Sequence, residues 1–465
     1  MGSRIPTPTS KIPTSNFSLG TPEPRLAITD DGMSTPQPAS RPLTQPATPY
    51  LTPMSVTRNP LTDQSERVKV VVRVRPCLRA SEHPGSLDLQ EARNGKLTLT
   101  RPDAIVPFNT YQFDKVLDAD TTQQDVYHEV RDVVEDVLHG YNGTILAYGQ
   151  TGAGKTHSLM NIEPQAIGVI PRCVAEIFKK AAADPFHAYA VSMSYIQIYM
   201  ELIQDLLHPE SDNLHIREDA TNGVFVAGAH EVPVTTLEEC LHYLELGERN
   251  RSFAFTHLNA HSSRSHAVVM VTVVKSQRYV TPQDKASVKR GEKDSSVLSQ
   301  KVKVGKLYLV DLAGSERLKK SRSVGLRASE AKSINLSLTA LGMCISARAN
   351  DERHIPFRDS KLTRLLQESL GGNAKTTLLV CVADVREHAD ESLQSLQFGS
   401  RAMFVKNKPV VNERVDFRTL HSELLVQMDS QRDRASELEV AVLRTEEERD
   451  ALHVSFGCMR AVCQL

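Results

Sequence analysis

Apolar positions along the chain fall into two alternating periods. Val68-Lys-Val-Val-Val-Arg-Val places β-branched residues in the spacing of a half-buried strand, and Arg75-Pro76 closes it. The same reasoning predicts strands over 143–148, 188–198, 267–274, 306–311 and 376–383. Between them the apolar spacing lengthens to that of helices, over 122–138, 171–183, 237–250, 328–349 and 360–369. Strands alternating with helices predict an α/β sandwich on a largely parallel central sheet.

The pattern lapses in three places. Residues 1–65 hold 12 of the 24 prolines with 11 Thr and 8 Ser, too little apolar area to offset ordering, so they read as a disordered extension. Its five Thr-Pro pairs, at Thr7, Thr21, Thr35, Thr48 and Thr52, suit proline-directed phosphorylation and equally suit any Pro/Thr-rich tail. Between Lys275 and Lys303 lie eight basic and three acidic residues in a polar stretch, read as a solvated loop. From 416 onward proline is absent, and Leu424, Gln431, Leu438, Thr445 and Leu452 recur every seven residues. Half of the heptad positions are polar, so residues 416–465 read as a helical neck in which a dimerising coiled coil competes with a surface helix.

Charge narrows the partners. Lys+Arg 55 against Asp+Glu 56 leaves a net charge of −1, which argues against a protein that coats nucleic acid or anionic membrane by bulk charge. No apolar run approaches the roughly 18 residues of a membrane span, and no N-terminal charged-then-apolar segment marks a secretory signal. Seven cysteines without a C-x-x-C pair suit a reducing, cytosolic or nuclear compartment.

Three segments carry chemistry. Gly149-Gln150-Thr151-Gly152-Ala153-Gly154-Lys155-Thr156 follows a predicted strand and precedes a helix, the context in which backbone N–H groups cradle phosphates. Lys155 supplies a positive charge to the β- and γ-phosphates, and the Thr156 hydroxyl can bind Mg²⁺. Val310-Asp311-Leu-Ala-Gly314-Ser-Glu316 ends a second apolar strand with an acidic residue suited to Mg²⁺ and a glycine whose N–H can approach a γ-phosphate. Asn259-Ala-His-Ser262-Ser263-Arg264-Ser265-His266 gathers hydroxyls, an Arg and His ahead of a strand, fit for an anion- and metal-contacting loop.

Together these segments resemble the kinesin motor domain, over 68–412. Arg73-Val-Arg75-Pro76, Tyr195-Ile-Gln-Ile-Tyr199, Ile334-Asn335-Leu-Ser337-Leu, Ile355-Pro356-Phe-Arg358-Asp359-Ser-Lys361-Leu-Thr-Arg364 and Leu370-Gly-Gly-Asn373 extend the match. The resemblance implies a three-layer αβα P-loop NTPase fold with a mixed, largely parallel sheet. It implies a motor domain over 66–406, a neck linker over 407–415 with Asn412 as its latch, and the helical neck beyond. It also implies ATP and Mg²⁺. Arg73 and Pro76 would contact the adenine with His157 stacking on it, while Asn259, Ser262 and Ser263 form switch I. Asp311, Gly314 and Glu316 would form switch II, with an Arg264–Glu316 ion pair closing the switches around an attacking water. Lys319, Lys320, Arg322, Arg327, Lys332, Arg358, Lys361 and Arg364 would hold acidic tubulin.

The sequence departs from that family's pattern at Gln197, Met200, Leu336, Ala383-Asp384 and Pro409. Asn335-Leu-Ser-Leu and Phe398-Gly-Ser-Arg-Ala-Met403 are similar to armadillo-repeat kinesins of plants and protists, although this chain carries no such repeats. The function implied is a microtubule-activated ATPase motor of the cytoplasmic cytoskeleton, plus-end directed by family analogy. A nucleotide-switched microtubule binder and a microtubule depolymerase are the alternatives.

Overall fold

The computed structural model describes residues 65–462 apart from 80, 102–107, 220–222, 259–261, 278–300, 317–325 and 416. Within its elements the described side chains exclude 253–258, 262, 301, 326–335, 415, 417–427 and 455–462. The N-terminal extension and most of the basic loop therefore lie outside the described residues.

Ten strands form the central sheet: β1 Lys69–Arg75, β2 Lys115–Leu117, β3 Gly143–Tyr148, β4 His187–Tyr199, β5 Leu202–Asp205, β6 Val232–Val234, β7 His266–Gln277, β8 Lys301–Asp311, β9 Lys375–Ala383 and β10 Glu413–Val415. The main order is β6-β4-β7-β8-β3-β9-β1-β2, with β5 beside β4 and β10 beside β8. The sheet is mixed as expected, but its parallel character is confined to the ladders joining β8, β3, β9, β1 and β2. The other half is antiparallel, with β7 running against both β4 and β8.

Side-chain alternation along the strands feeds two cores. Val71, Ile145, Ala147, Leu307, Leu309 and Leu379 face one layer. Against them pack α1 (Gln123–Leu138), α2 (Lys155–Met160), α3 (Val169–Ala183) and α4 (Leu237–Leu258), through Val130, Val134, Leu159, Ile170, Ile177 and Leu244. Val70, Val72, Leu146, Val310, Leu378 and Val380 face the opposite layer. There α5 (Leu326–Ala349), α6 (Lys361–Leu365) and α7 (Ala389–Ala402) present Leu341, Ile345, Leu362, Leu365, Leu396 and Phe398. These are the three αβα layers.

Local chemistry sets the element ends. Thr122 caps α1 in a reciprocal capping box with Asp125. The helix predicted over 360–369 is a single short α6, capped by Ser360 and continued as isolated turns such as Leu370 N–H to Leu366 O at 3.1 Å. Two departures acquire structural roles. Gln197 is buried and pairs with Gln204 across β4 and β5 at 2.7 Å. Asp384 accepts the backbone N–H groups of Ser86 and Leu87, each at 2.8 Å. Met200 and Glu201 both sit at positive φ in the β4–β5 turn, where Asn is preferred at the first position.

The segment after α7 lies along the sheet. Lys406–Asn407 pairs with Glu66–Arg67, and β10 pairs with β8. Between them Asn412 donates its side-chain amide to Gly140 O, Asn142 Oδ1 and Val304 O at 2.9, 3.0 and 3.2 Å, and accepts from Asn373. Pro409 falls outside both ladders, and its neighbours Lys408 and Val410 make the backbone donations, to Gly372 O and Asn373 Oδ1. The missing N–H therefore costs the sheet nothing. Beyond it, α8 (Phe417–Val462) is one continuous helix, and every side chain from 428 to 454 is exposed, so that stretch is not a helix packed on the core.

Candidate functional site

Site residues converge at the C-terminal ends of the parallel strands, where an open α/β sheet places its ligands. The loop 149–154 leaves β3 and opens α2, with Gly149, Gly152 and Gly154 all at positive φ. A Cβ on Gly149 would stand 2.1 Å from Cys381 O, whereas one on Gly152 or Gly154 would meet nothing within 4 Å. The loop is thus pressed against β9 on its inner side and open on its outer side, a cradle of the shape a phosphate chain requires.

Lys155 is buried, and its ammonium donates to Gly149 O at 2.8 Å and Gln150 O at 2.9 Å. Burial lowers its pKa, while Asp311, Cys381 and Glu316 act to keep the charge. Thr156 is exposed, and its hydroxyl donates to Asp311 Oδ2 at 2.6 Å. Asp311 is buried at the end of β8, and its Oδ1 has no hydrogen-bond partner among the described residues; Gln150 Oε1 is likewise unpartnered. Among the described residues no group of three His, Cys, Asp or Glu could hold a metal by itself. One hydroxyl beside one under-used carboxylate fits Mg²⁺, which keeps several waters and shares its ligands with substrate phosphates.

The segment after β8 is stitched to this loop. Gly314 N–H donates to Ser263 O at 2.9 Å and Ser315 N–H to Gly149 O at 3.1 Å. The Glu316 carboxylate accepts the Thr151 N–H at 2.8 Å and the Thr151 hydroxyl at 2.5 Å. A Cβ on Gly314 would stand 2.3 Å from both Glu316 Oε2 and Thr151 Oγ1, so a larger residue here would displace this contact. No ion pair joins Arg264 to Glu316, whose carboxylate accepts from Thr151; Arg264 is half-buried. Ser263 is half-buried, Asn259 lies outside the described residues, and the Ser262 side chain is not described.

The purine side divides. Pro76 and His157 are exposed, whereas the Arg73 guanidinium is committed inward to Gln123 Oε1 at 2.7 Å and Ser158 Oγ at 2.6 Å. Burial lowers both Arg73 and His157, the latter with help from the Arg73 charge. Arg75, which the sequence reading passed over, donates to Gly152 O at 2.7 Å and forks onto Glu82 at 2.9 Å twice, holding that carboxyl down at about 2.

Beneath the site lies Arg251, a cation the sequence reading also missed. It is 3% exposed and reaches Ser265, Glu248 at 3.3 Å and Asp311 Oδ2 at 3.8 Å. Cys240, Leu244, Gly247 and Arg251 form the inward stripe of α4, and that phase is the one signal that could have found it.

His266 is fully buried and links three elements: its Nδ1 accepts the Ala313 N–H at 3.0 Å and its Nε2 faces Ser337 Oγ of α5 at 2.8 Å. Burial, with the Arg251 and Lys155 charges, pushes it down to about 3. An unfolded histidine titrates near 6.5, so its contribution to stability is complete above that pH and is lost as pH falls toward 3. A loss of about 2 kcal/mol at about pH 5 follows. Denaturant titrations at neutral pH and at about pH 5 check this, and a His266→Gln variant should lose that part of the dependence.

Of the basic residues expected to hold tubulin, three have described side chains. Lys319, Lys320 and Arg322 lie outside the described residues, and Arg327 and Lys332 belong to α5 without described side chains. Arg358 is exposed; Lys361 and Arg364 are half-buried on α6, with Lys361 Nζ donating to Leu214 O at 3.4 Å. Glu201 seats this element by accepting Ser360 Oγ at 2.9 Å and Lys361 N–H at 2.7 Å.

Comparison with known proteins matches residues 73–405 to the kinesin motor domain family model. The kinesin-like protein KIN-UA of Arabidopsis thaliana is 42% identical over 375 residues, 78% of this chain and 40% of that protein. The kinesin heavy chain of Syncephalastrum racemosum is 45% identical over 308 residues, 65% of this chain and 31% of that protein. A solved structure of a fast kinesin superposes with a TM-score of 0.66 at 38% identity, covering 76% of this chain and 95% of that one. The chain thus spans about 40% of the length of its Arabidopsis relative.

Proposed function

The chain belongs to the kinesin motor-domain family, and from that membership we propose that it is a microtubule-stimulated ATPase that couples hydrolysis to movement along microtubules of the cytoplasm. The observation that supports this most directly is the joint of Glu316 on Thr151, which ties the segment after β8 to the phosphate loop beside the Thr156–Asp311 contact.

Backbone N–H groups of Gln150, Thr151, Gly152, Ala153 and Gly154 receive the phosphates, and Lys155 turns from its carbonyls to their charge. Thr156, Asp311 and Ser263 would hold Mg²⁺, with Asn259 and Ser262 completing switch I. Bound Mg-ATP supplies the phosphoryl group that is transferred. Pro76 and His157 receive the base, and Arg73 acts from behind through Gln123, whose amide donates to His157 O at 2.6 Å. On closure Glu316 exchanges Thr151 for Arg264, and that pair together with the Gly314 N–H positions the attacking water. Asn412 acts as the latch of the neck linker, which lies docked along β8 through its bonds to Gly140, Asn142 and Val304. Direction is taken as plus-end, and the exposed Leu438, Val442 and Leu452 of α8 favour pairing with a second copy, for which sedimentation is the check.

ATP turnover with and without microtubules tests the reading. Several-fold stimulation, falling steeply with added salt, is expected from the basic residues on α5 and α6. Absence of stimulation would sink it. Gliding on polarity-marked filaments then gives direction and separates a motor from a nucleotide-switched binder or a depolymerase.

A further inference from the structure

Arg75 closes β1 one residue before Pro76, and its guanidinium is held on three sides. Nε donates to Gly152 O of the phosphate loop and Nη1 to Pro76 O, each at 2.7 Å. Nη1 and Nη2 fork onto the two Glu82 oxygens at 2.9 Å, and the Arg75 and Glu82 side chains are only 10% and 12% exposed. Glu82 Oε2 also accepts the Leu78 N–H at 2.8 Å, which ties the segment after Pro76 into the same contact. A cation neutralised in this way offers little free charge to phosphates. A planar fork instead fixes the direction in which Nε points. One rigid group therefore joins the base side of the site, at Pro76, to the outer edge of the phosphate loop, at Gly152.

The same segment is fastened independently at its far end. Asp384, just beyond β9, accepts the backbone N–H groups of Gly85, Ser86 and Leu87 and the Ser86 hydroxyl. Loss of the Glu82 fork thus frees the guanidinium without freeing the segment. We propose, on the nucleotide reading above, that Glu82 is a positioning residue for ATP, aiming Arg75 so that the base side stands at a set distance from the phosphate loop. ATP spans both sides, and a preset spacing removes the ordering needed to bring them together. Inorganic tripolyphosphate reaches only the loop and gains nothing from that spacing. The Arg75–Glu82 clamp sets how much more tightly the whole nucleotide binds than its phosphate chain alone.

Titrations of the full chain with Mg-ATP and with Mg-tripolyphosphate test this. Glu82→Gln keeps an acceptor for Leu78 but turns an amide toward the guanidinium. It should weaken ATP about tenfold and tripolyphosphate less than about twofold. Arg75→Lys should show the same loss, because one ammonium cannot span both carbonyls as the guanidinium does. The double variant should lose no more than either single one. Asp384→Asn loosens the same segment without touching Arg75. It should lower the thermal midpoint by roughly 1–3 °C and leave the ratio of the two affinities as in wild type. An unchanged ratio in Glu82→Gln, additive losses in the double variant, or an equal loss of the ratio in Asp384→Asn each overturns the proposal with the nucleotide reading intact. A wild-type chain that binds neither ligand overturns both.

Discussion

Replacing Glu316 with Ala is expected to lower steady-state ATP hydrolysis by at least about a thousand-fold while nucleotide affinity changes little. The carboxylate touches the phosphate loop only at Thr151, and both of those bonds are exposed, so their loss leaves the fold within about 0.5 kcal/mol of wild type. On the proposed function, what is lost is the group that would close on Arg264 and position water. Glu316→Gln separates charge from shape: it keeps an acceptor for Thr151 but cannot form the ion pair, so turnover should stay low. Nucleotide titration beside a steady-state assay gives the answer, and near-normal hydrolysis in Glu316→Ala would falsify the assignment. Gly314→Ala should show a similar loss by a different route, since its Cβ would stand 2.3 Å from both Glu316 and Thr151 oxygens.

Arg251→Ala is expected to cost about 3–5 kcal/mol of stability, the largest effect of a single side chain near the site. Burial works against the Arg251 charge, but Tyr195, Glu248 and Asp311 together hold it above its ordinary pKa. Removing the cation leaves Asp311 buried with an oxygen that already has no partner among the described residues. It also frees the Ser265 contacts that brace the start of β7. Denaturant unfolding measures the change. A loss under about 1 kcal/mol would mean that Asp311 is held by Thr156 alone. Arg251→Lys should recover little, because one ammonium cannot reach both Ser265 and the carboxylates as the forked guanidinium does.

These two predictions differ in how visible their residues were beforehand. Glu316 stood in a dense motif, and its place beside the phosphate loop was legible because glycine, acid and apolar strand occur in fixed order. Its partner was not. The carboxylate meets Thr151 rather than Arg264, and which donor a carboxylate meets depends on displacements in space that no linear pattern records. Arg251 was hidden for another reason. Isolated arginines on helices are ordinary, and only its phase with Cys240, Leu244 and Gly247 marks it as inward-facing. Pro409 shows the converse. It looked costly in a docking strand, and the structure places it between two ladders rather than in one.

By itself the sequence determined the elements and the chemistry that depends on neighbours in the chain. Alternating valines made β1, the capping box started α1, and three glycines at positive φ shaped the phosphate loop, because backbone sterics and burial act over a few residues. Only the tertiary structure decided which half of the sheet is parallel, what Glu316 touches, and that Arg251 lies beneath Asp311. Those depend on groups far apart in the chain arriving within a few ångströms, and distance in space is what a linear pattern of residues does not encode.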